Sequence, residues 1–297
     1  MRDFSADHRW LSINTATVRK QHGVELPLPD ILEACARRGI RAISPWRDQV
    51  QAASLSTISQ LVKTHGFELS GYCRGGMFPA ADAAGLKAAR DDNRRAVDEA
   101  CELNAACLVL VVGGLPGALA GQAAHKDIAL ARQQVTDGIA ELLAYARAQK
   151  MPLAIEPLHP MYAADRACIN TLEQALDVCD LLDPIQPESG PRALGVAMDI
   201  YHTWWDPKLQ QQIARAGRDA RVLGFHVCDW LTPTTDLLND RGMMGDGVID
   251  IPRLRGWVED AGFAGYSEVE IFSIKNWWQR DCNEVLDTCI ARHRSVV

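Results

Sequence analysis

Along this 297-residue chain, short runs of apolar and β-branched residues alternate with longer stretches whose apolar positions recur at helical spacing. The short runs fit buried strands and the longer ones amphipathic helices. The strand-like runs are residues 10–17 (WLSINTAT), 41–46 (RAISPW), 68–73 (ELSGYC), 107–113 (CLVLVVG), 152–157 (PLAIEP), 194–200 (LGVAMDI), 221–228 (RVLGFHVC) and 267–272 (SEVEIF). Helical periodicity covers 29–38, 55–65, 90–104, 127–149, 171–182, 207–216, 251–261 and 283–294, with Gly39, Gly66 and Gly262 placed to end helices. Strand followed by helix, eight times over, predicts a parallel sheet with crossover helices. No linker rich in Ser, Pro or Gly interrupts the rhythm. The expected architecture is therefore α/β, a single (β/α)₈ TIM barrel with residues 1–297 as one domain. A doubly wound open sheet is the alternative, and the lack of a Gly-x-Gly-x-x-Gly turn after the first strand argues against it.

Composition narrows the partners. With 47% hydrophobic and 23% charged residues the chain can bury a large core, which excludes disordered and fibrous classes. A net charge of -7 disfavours broad capture of nucleic acid or anionic lipid and leaves a small molecule as the expected partner. Nine cysteines, an odd number without any CxxC pair, read as reduced core residues. The first residues, MRDFSADHRW, contain no apolar leader core, and no stretch of about 18 uncharged apolar residues follows. A cytoplasmic protein that neither spans nor enters a membrane is the expectation.

In a barrel of this kind chemistry collects at the carboxyl ends of the strands. That filter passes Asn14, Arg47 and Asp48, Arg74, Glu156 and His159, Asp199 and His202, His226 and Asp229, and Glu268 with Glu270. Glu156 (in LAIEPLHP), Asp199 (VAMDIYH), His226 (GFHVCDW) and Glu270 (EVEIF) each put an ionisable group at the end of an apolar strand, where an uncompensated charge is costly. One such residue alone is usually a satisfied structural group. Four on successive neighbouring strands converge, and three carboxylates with one imidazole form an oxygen-rich shell suited to one divalent metal, Mn²⁺ first, with Mg²⁺ or Co²⁺ as alternatives. Glu268 lies two residues before Glu270 on the same strand face, and position alone does not choose between them.

The segments IEPLHP, MDIYHTWWDP, GFHVCDW, RGMMGDGVIDIP and EVEIFS, in this order and spacing, resemble the xylose-isomerase-like sugar phosphate isomerase/epimerase superfamily, which includes ketose 3-epimerases, hydroxypyruvate isomerase, inosose dehydratase and endonuclease IV. The resemblance implies that Glu156, Asp199, His226 and Glu270 are the metal ligands; Glu270 is preferred to Glu268 because an aromatic, Phe272, follows it closely. It also implies substrate contacts from His202 and Arg241. The chain departs from ketose 3-epimerases at Tyr162, six residues after Glu156, where they carry a second glutamate, so epimerisation of a free ketose at C3 is not expected. It lacks the early-strand histidines and the late Asp-x-His of endonuclease IV, which leaves a mononuclear site.

The implied chemistry is isomerisation or epimerisation of a sugar or sugar-derived keto or hydroxy compound through an enediolate, with Glu156 and Glu270 as the acid/base pair. The alternative is a dehydratase or lyase on a keto-inositol or 3-keto-glycoside, in which the same enolate expels a β-substituent protonated by His159, His202 or Asp229. Trp46, Trp204, Trp205, Trp277 and Trp278 follow strand ends and are candidates for stacking on a sugar. One member of each tandem pair is expected to pack elsewhere or to meet a second subunit of a homo-oligomer. Arg47 and Arg74 are candidates for a substrate carboxylate or phosphate, against pairing with Asp48 or surface acids. Residues 231–247, with Pro233, Gly242, Gly245 and Gly247, read as a lid.

Overall fold

A computed structural model describes residues 1–185 and 192–297. Its parallel strands are β1 (Leu11–Asn14), β2 (Ala42–Ser44), β3 in two pieces (Glu68–Leu69 and Tyr72–Gly76), β4 (Leu108–Val111), β5 (Leu153–Ile155), β6 (Leu194–Asp199), β7 (Val222–Val227) and β8 (Ser267–Val269). The ladder runs from the first piece of β3 through β2, β1, β8, β7, β6, β5 and β4 to the second piece of β3. Both ends of the ladder thus belong to one chain segment, so the sheet closes on itself as the strand rhythm predicts. Bridges from Trp46 to Cys73 and from Leu69 to Ala105 carry the pairing across the Ser70–Gly71 break.

The outer helices are α1 (Leu28–Arg37), α2 (Leu55–His65), α3 (Ala83–Glu102), α4 (Ile128–Gln149), α5 (Leu172–Leu182), α6 (Leu209–Arg218), α7 (Ile251–Asp260) and α8 (Cys282–Ser295). Their apolar faces and the outward side chains of the strands form one continuous core. Inside the barrel a smaller cluster of Cys73, Cys107, Val109, Ala154 and Ala197 fills the narrow lumen. All nine cysteines are unpaired, and all but the partly buried Cys101 are buried.

Element boundaries moved where side chains hydrogen-bond to the backbone. The first strand, expected to reach residue 17, stops at Asn14, whose Oδ1 accepts the Ala16 N–H at 3.1 Å and opens a 3-10 turn over Thr15–Val18. Helix α3 starts at Ala83 rather than residue 90, because Asp82 Oδ1 caps it by accepting the Gly85 N–H at 2.8 Å. Its alanine-rich first turns carry no apolar stripe to betray them. Among the described residues no helix is long and apolar enough to cross a membrane.

Candidate metal centre

The last residue of β6 is Asp199, His226 is the penultimate residue of β7, and Glu156 and Glu270 directly follow β5 and β8. Parallel register sets Asp199 beside His226 and His226 beside Glu268. One ligand atom from each of Glu156, Asp199, His226 and Glu270 falls within 4.8 Å of the others, and all four residues are buried. His226 Nδ1 lies 3.0 Å from Glu156 Oε1 and 3.8 Å from Glu270 Oε2. Glu268, one step down the barrel, faces the other ring nitrogen, Nε2, at 3.5 Å. It accepts from Asn14 Nδ2 at 2.8 Å and from Ser70 Oγ at 2.7 Å, and Asn14 Nδ2 also reaches Glu270 Oε1 at 3.0 Å.

The donor set fits a divalent cation. Burial pushes the Asp199 carboxyl up to about 6 even with the Arg241 guanidinium beside it. Glu270 is raised for the same reason, with neighbouring Glu156 adding to the effect of burial against Arg241. Burial alone would lower His226, but Glu268, Glu156 and Glu270 outweigh it and hold the imidazole well above its ordinary range. Anions crowded out of water around one point call for positive charge at that point, and a hard cation supplies it. Burial, then the same three glutamates, keeps the Cys73 thiol protonated, so it offers no competing thiolate.

Arg241 closes one side. Its Nη1 donates to Asp199 Oδ2 at 2.9 Å and to Glu270 Oε2 at 3.0 Å, and its guanidinium lies over the rings of Tyr201 and Phe272. His202 is fixed by a short helix, Ile200–Thr203, that Asp199 caps by accepting the Tyr201 N–H at 2.7 Å. Its Nε2 faces Arg241 Nη2 at 3.1 Å. Burial and then the Arg241 charge keep this imidazole neutral. Above the cluster opens a cavity, open to solvent on one side, with Glu156, Glu270, His202 and Arg241 in its floor.

The family model described as xylose isomerase-like TIM barrel matches residues 32–289. The chain belongs to this family. Protein SMc04130 from Sinorhizobium meliloti 1021 is 55% identical, with a TM-score of 0.89 over 97% of this chain and 98% of that one. The IolI protein, in a structure with a binding zinc atom, shares the fold at 19% identity, TM-score 0.75, over 94% of each chain. So does the D-psicose 3-epimerase with D-tagatose from Clostridium cellulolyticum H10, at 14% identity, TM-score 0.68, over 94% of this chain and 97% of that one. No curated protein matches the sequence.

Around this family scaffold the structure sorts the remaining candidates. Trp46 and Arg74 line the cavity, Trp46 also donating from Nε1 to Asn14 Oδ1 at 2.7 Å. His159 does not line it: the ring stacks on Trp230 at 5.0 Å, and only its backbone N–H reaches the site, donating to His202 Nδ1 at 3.2 Å. Asp229 is no leaving-group acid, since it accepts the N–H groups of Trp230, Gly245, Gly247 and Ile249 and pins that loop. Arg47 turns away to Asp92 and Glu99 on α3, while Asp48 pairs with Arg19. Trp277 and Trp278 are both buried within the chain, on a 3-10 turn that points them to different sides, so neither is left for a second subunit. Trp204 packs on Trp230, and Trp205 donates to the His202 carbonyl. From the segment expected to act as a lid, Leu238 forms part of the cavity wall and the Leu237 carbonyl accepts the Tyr201 hydroxyl at 2.9 Å. Two polar cavity residues had no functional reading from the sequence: Arg166, and Tyr162, which had registered only as a missing glutamate.

Proposed function

We propose that this protein is a divalent-metal-dependent enzyme that moves a proton on a carbon next to a carbonyl of a small carbohydrate, giving isomerisation or epimerisation. The observation that carries the reading is the convergence of Glu156, Asp199, His226 and Glu270 on one buried point at the floor of an open cavity. These four residues would hold the metal, with Mn²⁺ the expected ion and Mg²⁺ or Co²⁺ alternatives; the zinc in the IolI structure is consistent with a divalent ion on this fold. The ion would supply positive charge to two adjacent substrate oxygens, which acidifies the intervening C–H.

The chain's own groups divide the remaining work. Glu156 and Glu270 both reach the cavity, from strands β5 and β8, so one carboxylate removes the proton and the other returns it. Arg241 sits beside them as a donor toward an oxygen that gains charge, with neutral His202 against its guanidinium. Burial of the floor keeps water from quenching the carbanion.

Elimination by the same opening step is the second reading, and Tyr162 favours it. Its hydroxyl is buried in the cavity without a hydrogen-bond partner. Burial pushes the phenol up to about 12 against the pull of Arg241 and Arg166, so it keeps its proton for a leaving group. Incubation with ketoses, keto-inositols and 3-keto-glycosides in D₂O with Mn²⁺ separates the two: deuterium uptake next to the carbonyl without elimination indicates isomerisation, and loss of a hydroxyl or aglycone indicates a lyase. Glu156→Gln or Glu270→Gln with metal retained abolishes exchange; full exchange in either variant removes the acid/base assignment.

A further inference from the structure

Arg74 and Arg166 both line the cavity, and among the described residues neither makes a salt bridge or a side-chain hydrogen bond. The third arginine in the walls, Arg241, is held by Asp199 and Glu270. Arg74 occupies the second piece of β3, a rigid position, and its side chain is largely withdrawn from water. Arg166 lies four residues after Tyr162, and its guanidinium stands 5.8 Å from that ring, which holds it at the cavity. Burial and the Arg166 charge both work against the Arg74 guanidinium, with only a weaker opposing pull from Glu156 and Asp48, and an anion held by two arginines that lack a salt-bridge partner in one cavity wall would offset that cost.

We propose that Arg74 and Arg166 form a clamp for an anionic group, carboxylate or phosphate, on the substrate, so that the enzyme takes acidic rather than neutral sugars. The planar forks of two arginines suit the oxygens of either anion. The proposal rests on the enolisation reading for the reaction at Glu156 and Glu270.

The test titrates the Mn²⁺-loaded full chain by calorimetry with two matched pairs, ribulose 5-phosphate against ribulose and fructuronate against fructose. At least one charged probe is expected to bind roughly tenfold or more tightly than its neutral partner. The pair that shows the preference tells phosphate from carboxylate. Arg74→Gln and Arg166→Gln should each shrink that preference while manganese per chain stays unchanged; Arg166, outside the strands, guards against misfolding of the Arg74 variant. No preference for either charged probe, including no binding by any of the four, overturns the clamp, as does a preference that survives both substitutions. Deuterium exchange on the same probes tests the other reading separately. Charge preference without exchange keeps the clamp and rejects enolisation; exchange on neutral ketoses without charge preference does the reverse.

Discussion

Glu268 Oε1 stands 3.5 Å from His226 Nε2, on the side of the ring opposite Glu156. A carboxylate at that position holds the proton on Nε2 and leaves the Nδ1 lone pair for a metal. Glu268→Gln is expected to weaken Mn²⁺ binding by about 10- to 100-fold with the fold intact, read by titration of the apo chain. Unchanged affinity would remove the positioning role.

Metal removal should destabilise the protein. Glu156, Asp199 and Glu270 are buried side by side, and stripping a cation from them leaves their repulsion offset only by Arg241 and His226. Chelation is expected to lower the thermal midpoint, and Mn²⁺ at a hundred times its Kd to restore about 2.7 kcal/mol. A midpoint indifferent to chelator and to added Mn²⁺, Mg²⁺ or Co²⁺ would count against the metal centre.

Tyr162→Phe distinguishes two uses of the unpartnered hydroxyl. If it only binds substrate, KM rises roughly three- to tenfold and kcat holds. If it protonates a leaving group, kcat falls by about 10²-fold or more. Steady-state kinetics with metal content checked in parallel gives the answer.

His293 predicts an acid limb of stability far from the cavity. It is buried and stacked on Phe4 at 4.5 Å; burial, then the charges of Arg255, His8 and Arg2, push its pKa from 6.5 down to about 3. The folded state therefore refuses a proton that the unfolded chain accepts below pH 6.5. This contribution is flat above that pH and is lost as pH falls from 6.5 toward 3, at no more than about 1.4 kcal/mol per unit. The urea midpoint of His293→Leu should drop less between pH 7 and pH 5 than that of the wild type; equal drops would dismiss His293 as the source.

The sequence by itself determined the barrel and the convergence of its strand-end charges. Both follow from local periods: alternation and helical spacing mark the elements, and closure of eight parallel strands then brings residues such as Asp199 and His226 side by side. Tertiary structure alone decided depth and pairing. Glu268 and Glu270 share a strand face, and only the register with His226 puts one beneath the ring and the other at the cavity. Arg47 found its acids 45 and 52 residues away on α3, while Arg74, equally charged and equally close to a strand end, found none. Tyr162 and Arg166 come from an irregular loop with no period to read. Which side chains line a cavity built from such loops depends on long-range packing, which local spacing does not encode.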